Sequence, residues 1–176
     1  MLIKTIFAGF GGQGVLSMGL NLARAAMLEG MNVTYLPSYG AEVRGGTANC
    51  TVAISDEEIA SPVASSPEFI VAMNRPSMVR FQNQIQSGGL FFINSSLIDG
   101  ETSRGDINIV KVPASTIAED LESPRSANMV MLGALTKKSN MVSLSSLTEG
   151  LKSTLKGKEK LIAINEKALK AGYDLF

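Results

Sequence analysis

Residues 2–18, Leu-Ile-Lys-Thr-Ile-Phe-Ala-Gly-Phe-Gly-Gly-Gln-Gly-Val-Leu-Ser-Met, are the stretch that decides the fold. The run 2–8 is mostly apolar and β-branched, which is typical of a buried strand. After the glycines, apolar side chains recur at helical spacing from Val15, and Gly30 ends the predicted helix. A second strand is predicted over 32–37. The chain therefore opens with a β-α-β unit, which implies a parallel pair of strands and a right-handed crossover.

The rest of the sequence extends this unit. Further strands are predicted over 47–54, 68–73, 90–93 and 107–112. The Ser- and Pro-rich residues 56–67 are predicted to be irregular, and after Pro113 the pattern becomes helical. The helical segments are 129–136, 142–155 and 158–175. We predict one α/β domain over residues 1–176, with a mostly parallel sheet sandwiched by helices.

Composition excludes several classes of protein. Hydrophobic residues make up 45% and charged residues 18% of the 176 residues, which is typical of a globular protein. Lys plus Arg and Asp plus Glu number 16 each, so the basic excess of a nucleic-acid-binding protein is absent. No apolar run approaches the roughly 20 residues that span a bilayer, and the first residues lack a signal-peptide pattern. We expect a cytoplasmic protein that binds neither nucleic acid nor membrane.

The residue types also limit the chemistry. Cys50 is the only cysteine, and the sequence contains no histidine. Disulfide frameworks, cysteine-ligated iron–sulfur clusters, imidazole metal sites and Ser–His–Asp catalysis are therefore excluded for this chain alone. This composition favours a supporting role over a catalytic one.

The first candidate site is the glycine motif of residues 9–14, Gly-Phe-Gly-Gly-Gln-Gly. It satisfies the G-x-G-x-x-G pattern between a strand and a helix, where glycine amides can receive a pyrophosphate. The acidic residue that should hold a ribose at the end of the second strand is missing, because residues 36–38 read Leu-Pro-Ser. The glycines are equally explained by tight packing of helix against sheet. The candidate binding residues are Gly11, Gly12, Gln13 and Gly14.

The second candidate site is the loop over residues 38–47, beyond the carboxyl end of the second strand. Ligands and partners of open α/β sheets tend to dock at that edge. An aromatic side chain, an acid and a planar cation lie close together there, although a solvated Glu–Arg pair over a glycine turn would have the same pattern. The candidate residues are Tyr39, Glu42, Arg44, Gly45 and Gly46.

Together these motifs resemble the gamma subunit of 2-oxoacid:ferredoxin oxidoreductases. The resemblance rests first on Gly-x-Gly-Gly-Gln-Gly at 9–14 and on Ser-Tyr-Gly-x-Glu-x-Arg-Gly-Gly at 38–46. It covers nearly the whole chain and continues through Cys50, 54–56, 72–74, 128–133 and 165–172. Ala41 departs from the family, where many relatives have proline, but this change removes no functional group.

The resemblance implies a division of labour. Partner alpha and beta subunits bind thiamine diphosphate and magnesium, and a beta or ferredoxin-like delta chain holds [4Fe–4S] clusters. The complex oxidatively decarboxylates a 2-oxoacid (2-oxoglutarate, 2-oxoisovalerate or pyruvate) with CoA, giving acyl-CoA, CO2 and reduced ferredoxin. This chain binds no cofactor itself, and alone it is expected to be inactive. Residues 105–108, Gly-Asp-Ile-Asn, are only a fragment of the magnesium–thiamine diphosphate pattern.

We hypothesise that the two motifs face one edge of the sheet and form the docking surface for the catalytic subunits. Gln13 would bond to a partner's backbone, and Arg44 would pair with a partner's acidic group or with a CoA phosphate. Asn128 and Asn165 are further candidates, because an amide beside an apolar helical stripe usually has a specific partner. An isolated chain is expected to cover this surface by homo-oligomerisation.

Two alternatives stay open at this stage. One is the small (beta) subunit of an indolepyruvate:ferredoxin oxidoreductase, which carries a closely similar domain. The other is a stand-alone dinucleotide-binding oxidoreductase that uses the first glycine motif, and binding of NAD, NADP or a flavin by the isolated chain would distinguish it.

Overall fold

The computed structural model describes residues 1–39, 46–100 and 102–176, with Tyr39 described by its backbone. In this part of the chain a six-stranded sheet is packed between helices. The strands are β1 (Leu2–Phe10), β2 (Asn32–Tyr39), β3 (Thr47–Ser55), β4 (Phe69–Ala72), β5 (Leu90–Asn94) and β6 (Asn108–Val112). The helices are α1 (Val15–Leu28), α2 (Arg75–Phe81), α3 (Ala114–Asp120), α4 (Ala127–Ser139), α5 (Leu144–Thr154) and α6 (Glu159–Tyr173), with a 3-10 turn at Pro124–Ser126. Residues 56–67 form neither helix nor strand, as predicted.

The strand order is β2-β3-β1-β4-β5-β6. The pairs β1–β4, β4–β5 and β5–β6 are parallel, which confirms the mostly parallel sheet and the opening β1-α1-β2 unit. The two strands of that unit run in the same direction but do not pair, because β3 lies between them, antiparallel to both. Residues 40–46 connect β2 to β3, and a parallel crossover needs about a dozen residues or more, so β3 returns antiparallel.

The two faces of the sheet are covered unequally. One face carries α1, α4, α5 and α6 over a core that includes Phe7 and Phe92, whereas the other carries the short α2 over Ile70 and Phe91. Helix α4 is buried over residues 127–136, because it lies between the sheet and α6. The thicker helical layer therefore lies on the face of the sheet to which the chain crosses after β1.

Two glycines allow α4 and α6 to pack at backbone distance. A Cβ atom on Gly133 would collide with the carbonyl oxygen of Leu169, and one on Gly172 would collide with that of Val130. The predicted stripe of small and apolar residues around Gly133 is therefore the contact between these helices. None of the described helices is long and apolar enough to cross a membrane.

Candidate functional site

The glycine motif lies at the carboxyl end of β1, where the chain enters α1. Helix α1, after β1, packs on one face of the sheet, whereas α2, after the neighbouring β4, packs on the other. A crevice forms between two parallel strands whose connections leave in opposite directions, and ligands of open α/β sheets bind at such points. The motif thus occupies the expected position for a binding site.

The amide of Gln13 joins the glycine motif to the end of β4. Its Oε1 accepts hydrogen bonds from the backbone N–H of Phe10 at 2.7 Å and from Nδ2 of Asn74 at 2.8 Å. Its Nε2 donates to the carbonyl of Met73 at 3.3 Å. Asn74 in turn caps α2, with its Oδ1 accepting from the N–H of Ser77 at 2.9 Å.

These hydrogen bonds limit how Gln13 could bond to a partner's backbone, the role predicted for it. A side-chain amide has two N–H donors and an oxygen with two lone pairs. Both acceptor positions and one donor of Gln13 are already used within the chain. Bonding of Gln13 to a partner's backbone stays a prediction, and one N–H of its side-chain amide is left for that bond.

The backbone of the glycine motif is also committed internally. The N–H of Gly11 donates to the carbonyl of Gly46 at 3.0 Å, and that of Gln13 donates to Phe10 at 3.1 Å. Gly12 and Gly14 have φ angles of 97° and 71°, in the region that favours glycine. Two of the amides that would cradle a pyrophosphate are therefore occupied.

The neighbour of β1 also differs from that of a dinucleotide site. In a dinucleotide site, the ribose-binding carboxylate projects from a parallel strand next to β1. Here the end of β1 pairs with the antiparallel strand β3, with Phe10 opposite Thr47. The interposed β3 therefore adds a structural argument against the stand-alone oxidoreductase, beside the missing acid.

The structure brings Asn128 to the start of α1. Asn128 is 7% exposed, and its Nδ2 donates to the carbonyl of Gly14 at 3.3 Å. A Cβ atom on Gly14 would collide with the amide of Asn128. Two candidates more than a hundred residues apart in sequence are therefore in direct contact, and the contact requires glycine.

Asn165 reaches the same region through hydroxyl groups. The Oγ atoms of Ser123 and Ser126 are 2.7 Å apart, and Ser126 donates to Oδ1 of Asn165 at 3.2 Å. These contacts connect the turn before α4 to α6. Asn128 and Asn165 thus lie on two walls of one depression.

That depression is a cleft of about 620 Å³ between α1, α4, α5 and α6, which we call the helical cleft. Its wall is largely apolar, with Gly14, Asn128 and Asn165 among its polar positions. A smaller cavity of about 230 Å³ is lined by Gly12, Gln13 and Asn128. Pro124 and Arg125 border both cavities.

Some residues of the site were not predicted. Arg125 borders both cavities, and Asn94, fully buried at the end of β5, donates to Ser115 at 2.9 Å beside the smaller one. The Ser-Pro-Arg-Ser sequence at 123–126 was a usable signal, because proline after serine is typical of a helix start. Asn94 carried no signal, because it appears as the polar end of an apolar strand.

The second candidate loop is described in part. Glu42, Arg44, Gly45 and the side chain of Tyr39 lie outside the described residues. Gly46 is described, and its carbonyl accepts the hydrogen bond from Gly11. The last residue of the second motif therefore lies beside the glycine motif at the carboxyl end of β1, and a docking surface shared by the two motifs stays a prediction.

Two reactive side chains of the described chain, the Cys50 thiol and the Asp106 carboxyl, have pKa values displaced away from neutral pH. Burial raises the pKa of the Cys50 thiol to about 12, so this side chain is not a nucleophile at neutral pH. A hydrogen bond from Arg104 lowers the pKa of Asp106 to about 2, at the edge opposite the glycine motif. Residues 1–39, 46–100 and 102–176 contain no group of three His, Cys, Asp or Glu side chains that could hold a metal. The arrangement can bind and orient a ligand or a partner.

Comparison with known proteins gives a consistent result. The family model described as pyruvate ferredoxin/flavodoxin oxidoreductase matches residues 4–175. The ketoisovalerate oxidoreductase subunit VorA of Methanothermobacter thermautotrophicus is 42% identical over 171 residues, covering 97% of this chain and 35% of that protein. The 2-oxoglutarate synthase subunit KorC of Methanocaldococcus jannaschii is 36% identical over 172 residues, covering 96% of this chain and 90% of KorC.

Solved structures of proteins in this family are similar to this chain along almost its whole length. A gamma subunit of a keto/oxoacid ferredoxin oxidoreductase from Geobacter sulfurreducens superimposes with a TM-score of 0.83 at 25% identity, covering 98% of this chain and 96% of that one. The 2-oxoglutarate:ferredoxin oxidoreductase of Magnetococcus marinus, solved with 2-oxoglutarate, coenzyme A and succinyl-CoA bound, gives a TM-score of 0.91 at 28% identity, covering 99% of this chain and 31% of that one. The chain spans about a third of the length of the VorA proteins that it matches.

Proposed function

The chain belongs to the pyruvate ferredoxin/flavodoxin oxidoreductase family, and on that premise we propose that it is the gamma-type component of a 2-oxoacid:ferredoxin oxidoreductase. The assembled enzyme would oxidatively decarboxylate a 2-oxoacid in the presence of CoA. The acyl group would pass to CoA, the carboxylate would leave as CO2, and the electrons would reduce ferredoxin. One observation carries the proposal: nearly the whole chain superimposes on a third of an oxidoreductase of this class.

We assign this chain a binding role within the complex. Thiamine diphosphate with magnesium would supply the decarboxylation chemistry, and [4Fe–4S] clusters would carry the electrons, both held by alpha, beta or ferredoxin-like delta subunits. The Cys50 thiol is buried with a raised pKa, and the described residues form no metal-ligand group. The docking of this chain against cofactor-bearing partners is proposed from its similarity to subunits of such enzymes.

The helical cleft is the best candidate for the CoA site. CoA combines an apolar arm with a phosphate-bearing nucleotide, and the cleft combines a largely apolar wall with polar groups. The helices α1 and α4 both begin at this cleft, with their N-cap residues Gly14 and Ser126 in its lining, and helix N-termini favour anions. The predicted pairing of Arg44 with a partner's acid or a CoA phosphate remains a prediction.

The experiment is co-purification from an anaerobic extract of native cells, using the tagged chain as bait. Recovery of thiamine-binding and cluster-bearing subunits, with CoA-dependent ferredoxin reduction on one of a panel of 2-oxoacids, would support the proposal and identify the substrate. The panel should contain 2-oxoisovalerate, 2-oxoglutarate and pyruvate, because relatives that act on them are similar to this chain. Recovery of the chain alone, with a bound NAD, NADP or flavin, would refute it.

The indolepyruvate alternative is less well supported. The subunit IorB of Archaeoglobus fulgidus is 27% identical over 193 residues, against 42% for VorA. Indolepyruvate belongs in the same substrate panel, and turnover of that acid alone would favour this alternative. Cytoplasmic assembly and self-association of the isolated chain stay predictions, and size-exclusion chromatography tests the latter.

A further inference from the structure

The amino ends of β1 and β2 lie at the edge of the sheet opposite the glycine motif. Ser55 pairs with Leu2 at the start of β1 and with Asn32 at the start of β2. Helix α1 begins at the glycine motif, runs back to this edge and ends there, just before β2. The exposed side chains of Met27 and Leu28, at the end of α1, therefore lie at the same edge as the first residues of the chain.

Helix α4 ends at this edge as well, and the last residues of the chain lie against it. Beyond α4, the N–H of Ser143 donates at 2.7 Å to the carboxylate of Glu29, which immediately follows α1. The ammonium of Lys138, near the end of α4, lies 4.3 Å from the ring centre of Phe176. Both ends of the domain therefore emerge at the amino edge of the sheet.

Exposed apolar side chains are concentrated there. Six of the thirteen large apolar side chains that are exposed among the described residues belong to the two ends of the chain and to the end of α1. Large apolar patches on a protein surface mark sites of interaction. We call the exposed side chains of residues 1–2, 27–28, 137–138 and 175–176 the amino-edge surface.

Two unneutralised cations flank the apolar part of this surface. Lys137 and Lys138 are exposed, in the last turn of α4, and lie over the rings of Tyr173 and Phe176. Neither lysine forms an ion pair with a described residue. A ring face holds an ammonium in place without cancelling its charge, so both groups are ready to meet carboxylates of a partner.

The lengths of the relatives indicate which partner this is. The domain makes up about a third of the VorA proteins and of the Magnetococcus marinus chain that it matches. Since the family match spans residues 4–175, the other two thirds of those relatives join the domain at its ends. Both ends lie at the amino edge, so the additional residues of those relatives leave the domain beside the amino-edge surface.

We infer that this chain docks through the amino-edge surface on the oxidoreductase subunit whose counterpart is continuous with this domain in the longer relatives. The inference rests on the proposed function and adds a docking surface at the edge opposite the one predicted at the glycine motif. A covalently joined partner is held at high local concentration where the chain leaves the domain, and a separate subunit that assembles in the same way meets the same surface. Its complementary face is an apolar strip with carboxylates opposite Lys137 and Lys138.

The first test maps proximity in the co-expressed complex. The photoreactive residue p-benzoylphenylalanine takes the place of Leu28, and the complex is irradiated. We expect an adduct of this chain with a thiamine-binding or cluster-bearing subunit, identified by mass spectrometry of the joined peptides. The same replacement of Val79 is the matched control, because Leu28 and Val79 are both 56% exposed but Val79 lies on α2, over the other face of the sheet. Its adduct yield should be far lower.

The second test measures how tightly the purified partner subunits bind the tagged chain. Leu28→Glu places a charge in the apolar strip and should weaken binding about tenfold or more. Lys138→Gln removes one cation and should weaken binding about threefold at low salt, with the difference shrinking as salt screens the charges. Val79→Glu should stay within about twofold of wild type, since an exposed charge away from an interface contributes little.

Each failure has a distinct meaning. An adduct from residue 28 between two copies of this chain would show self-association at this surface and would overturn the inference. Equal yields from residues 28 and 79, no adduct from residue 28, or unchanged affinity in both Leu28→Glu and Lys138→Gln would overturn it too. A tagged wild-type chain that captures neither a thiamine-binding nor a cluster-bearing subunit would instead overturn the proposed function.

Discussion

The glycine motif and the helical cleft adjoin each other but differ in how their polar groups are used. In the glycine motif, Gln13 and the N–H of Gly11 spend their hydrogen bonds inside the chain. In the cleft, Arg125 is exposed without an ion pair among the described residues. The more conspicuous motif in the sequence thus mainly builds the start of α1, whereas the exposed cation and the larger cavity lie beside it. A glycine pattern that matches a ligand fingerprint can therefore serve the framework of a site.

The largest expected effect follows substitution of Gly14. Gly14→Ala requires a Cβ at a φ of 71° and collides with the amide of Asn128. We expect a loss of about 3 kcal/mol in the free energy of unfolding, from the left-handed backbone and the overpacking together. Denaturant titration measures it.

Gly12→Ala is the control for that experiment. Gly12 also has positive φ, at 97°, but among the described residues no atom beyond its chain neighbours lies within 4 Å of the added Cβ. Its loss should be about 1–2 kcal/mol, from the backbone alone. Equal losses in the free energy of unfolding for Gly12→Ala and Gly14→Ala would show that the close contact between Gly14 and Asn128 does not contribute to the effect.

A smaller effect is expected from Gln13→Ala. The change leaves the N–H of Phe10 and the amide of Asn74 without their acceptor, which costs about 1–3 kcal/mol of stability. If the motif is a framework, KM for CoA in the assembled enzyme should stay close to the wild-type value. A large rise in KM for CoA with unchanged stability would instead show that Gln13 takes part in binding and is not mainly part of the framework.

The reactivity of Cys50 tests whether α1 stays packed against the sheet in the native protein. Cys50 is buried beneath α1, with its Sγ donating to the carbonyl of Val15 at 3.6 Å, and burial raises the pKa of its thiol to about 12. At pH 8 the native protein should resist alkylation by iodoacetamide, and the unfolded protein should be labelled readily. Rapid labelling of the native chain would show that α1 detaches from the sheet.

The smallest effect is expected at the opposite edge. A hydrogen bond from Arg104 depresses the pKa of Asp106 to about 2, from an ordinary value of 3.8. A depressed carboxyl pKa stabilises the folded state above the ordinary value, and the contribution is lost as pH falls from about 4 to about 2. The small stability difference between wild type and Asp106→Asn, followed by urea titration, should therefore vanish over that range. KM for CoA should be unaffected, because this pair lies far from the cleft in the fold.

Much of the fold was predictable because the signals are local. Alternation, helical spacing and glycine positions identified all six strands, the opening β-α-β unit and the irregular residues 56–67. The insertion of β3 between β1 and β2 was missed, although the short connection over residues 40–46 already favoured an antiparallel return. For the site, Gly14, Asn128 and Asn165 were identified and do come together. Arg125 was not, because the Ser-Pro-Arg-Ser sequence at 123–126 indicates a helix start but does not show that the turn borders a cavity.

By itself, the sequence determined the class of fold, the family resemblance and the exclusion of histidine and cysteine chemistry, since these depend on residue type and short-range spacing. Tertiary structure alone decided the use of each polar group. Whether Gln13 is free or bonded, and whether Arg125 has a partner, depends on residues far away in the chain. The physical reason is that hydrogen bonds and charge pairs form between atoms a few ångströms apart, and folding alone brings such atoms together.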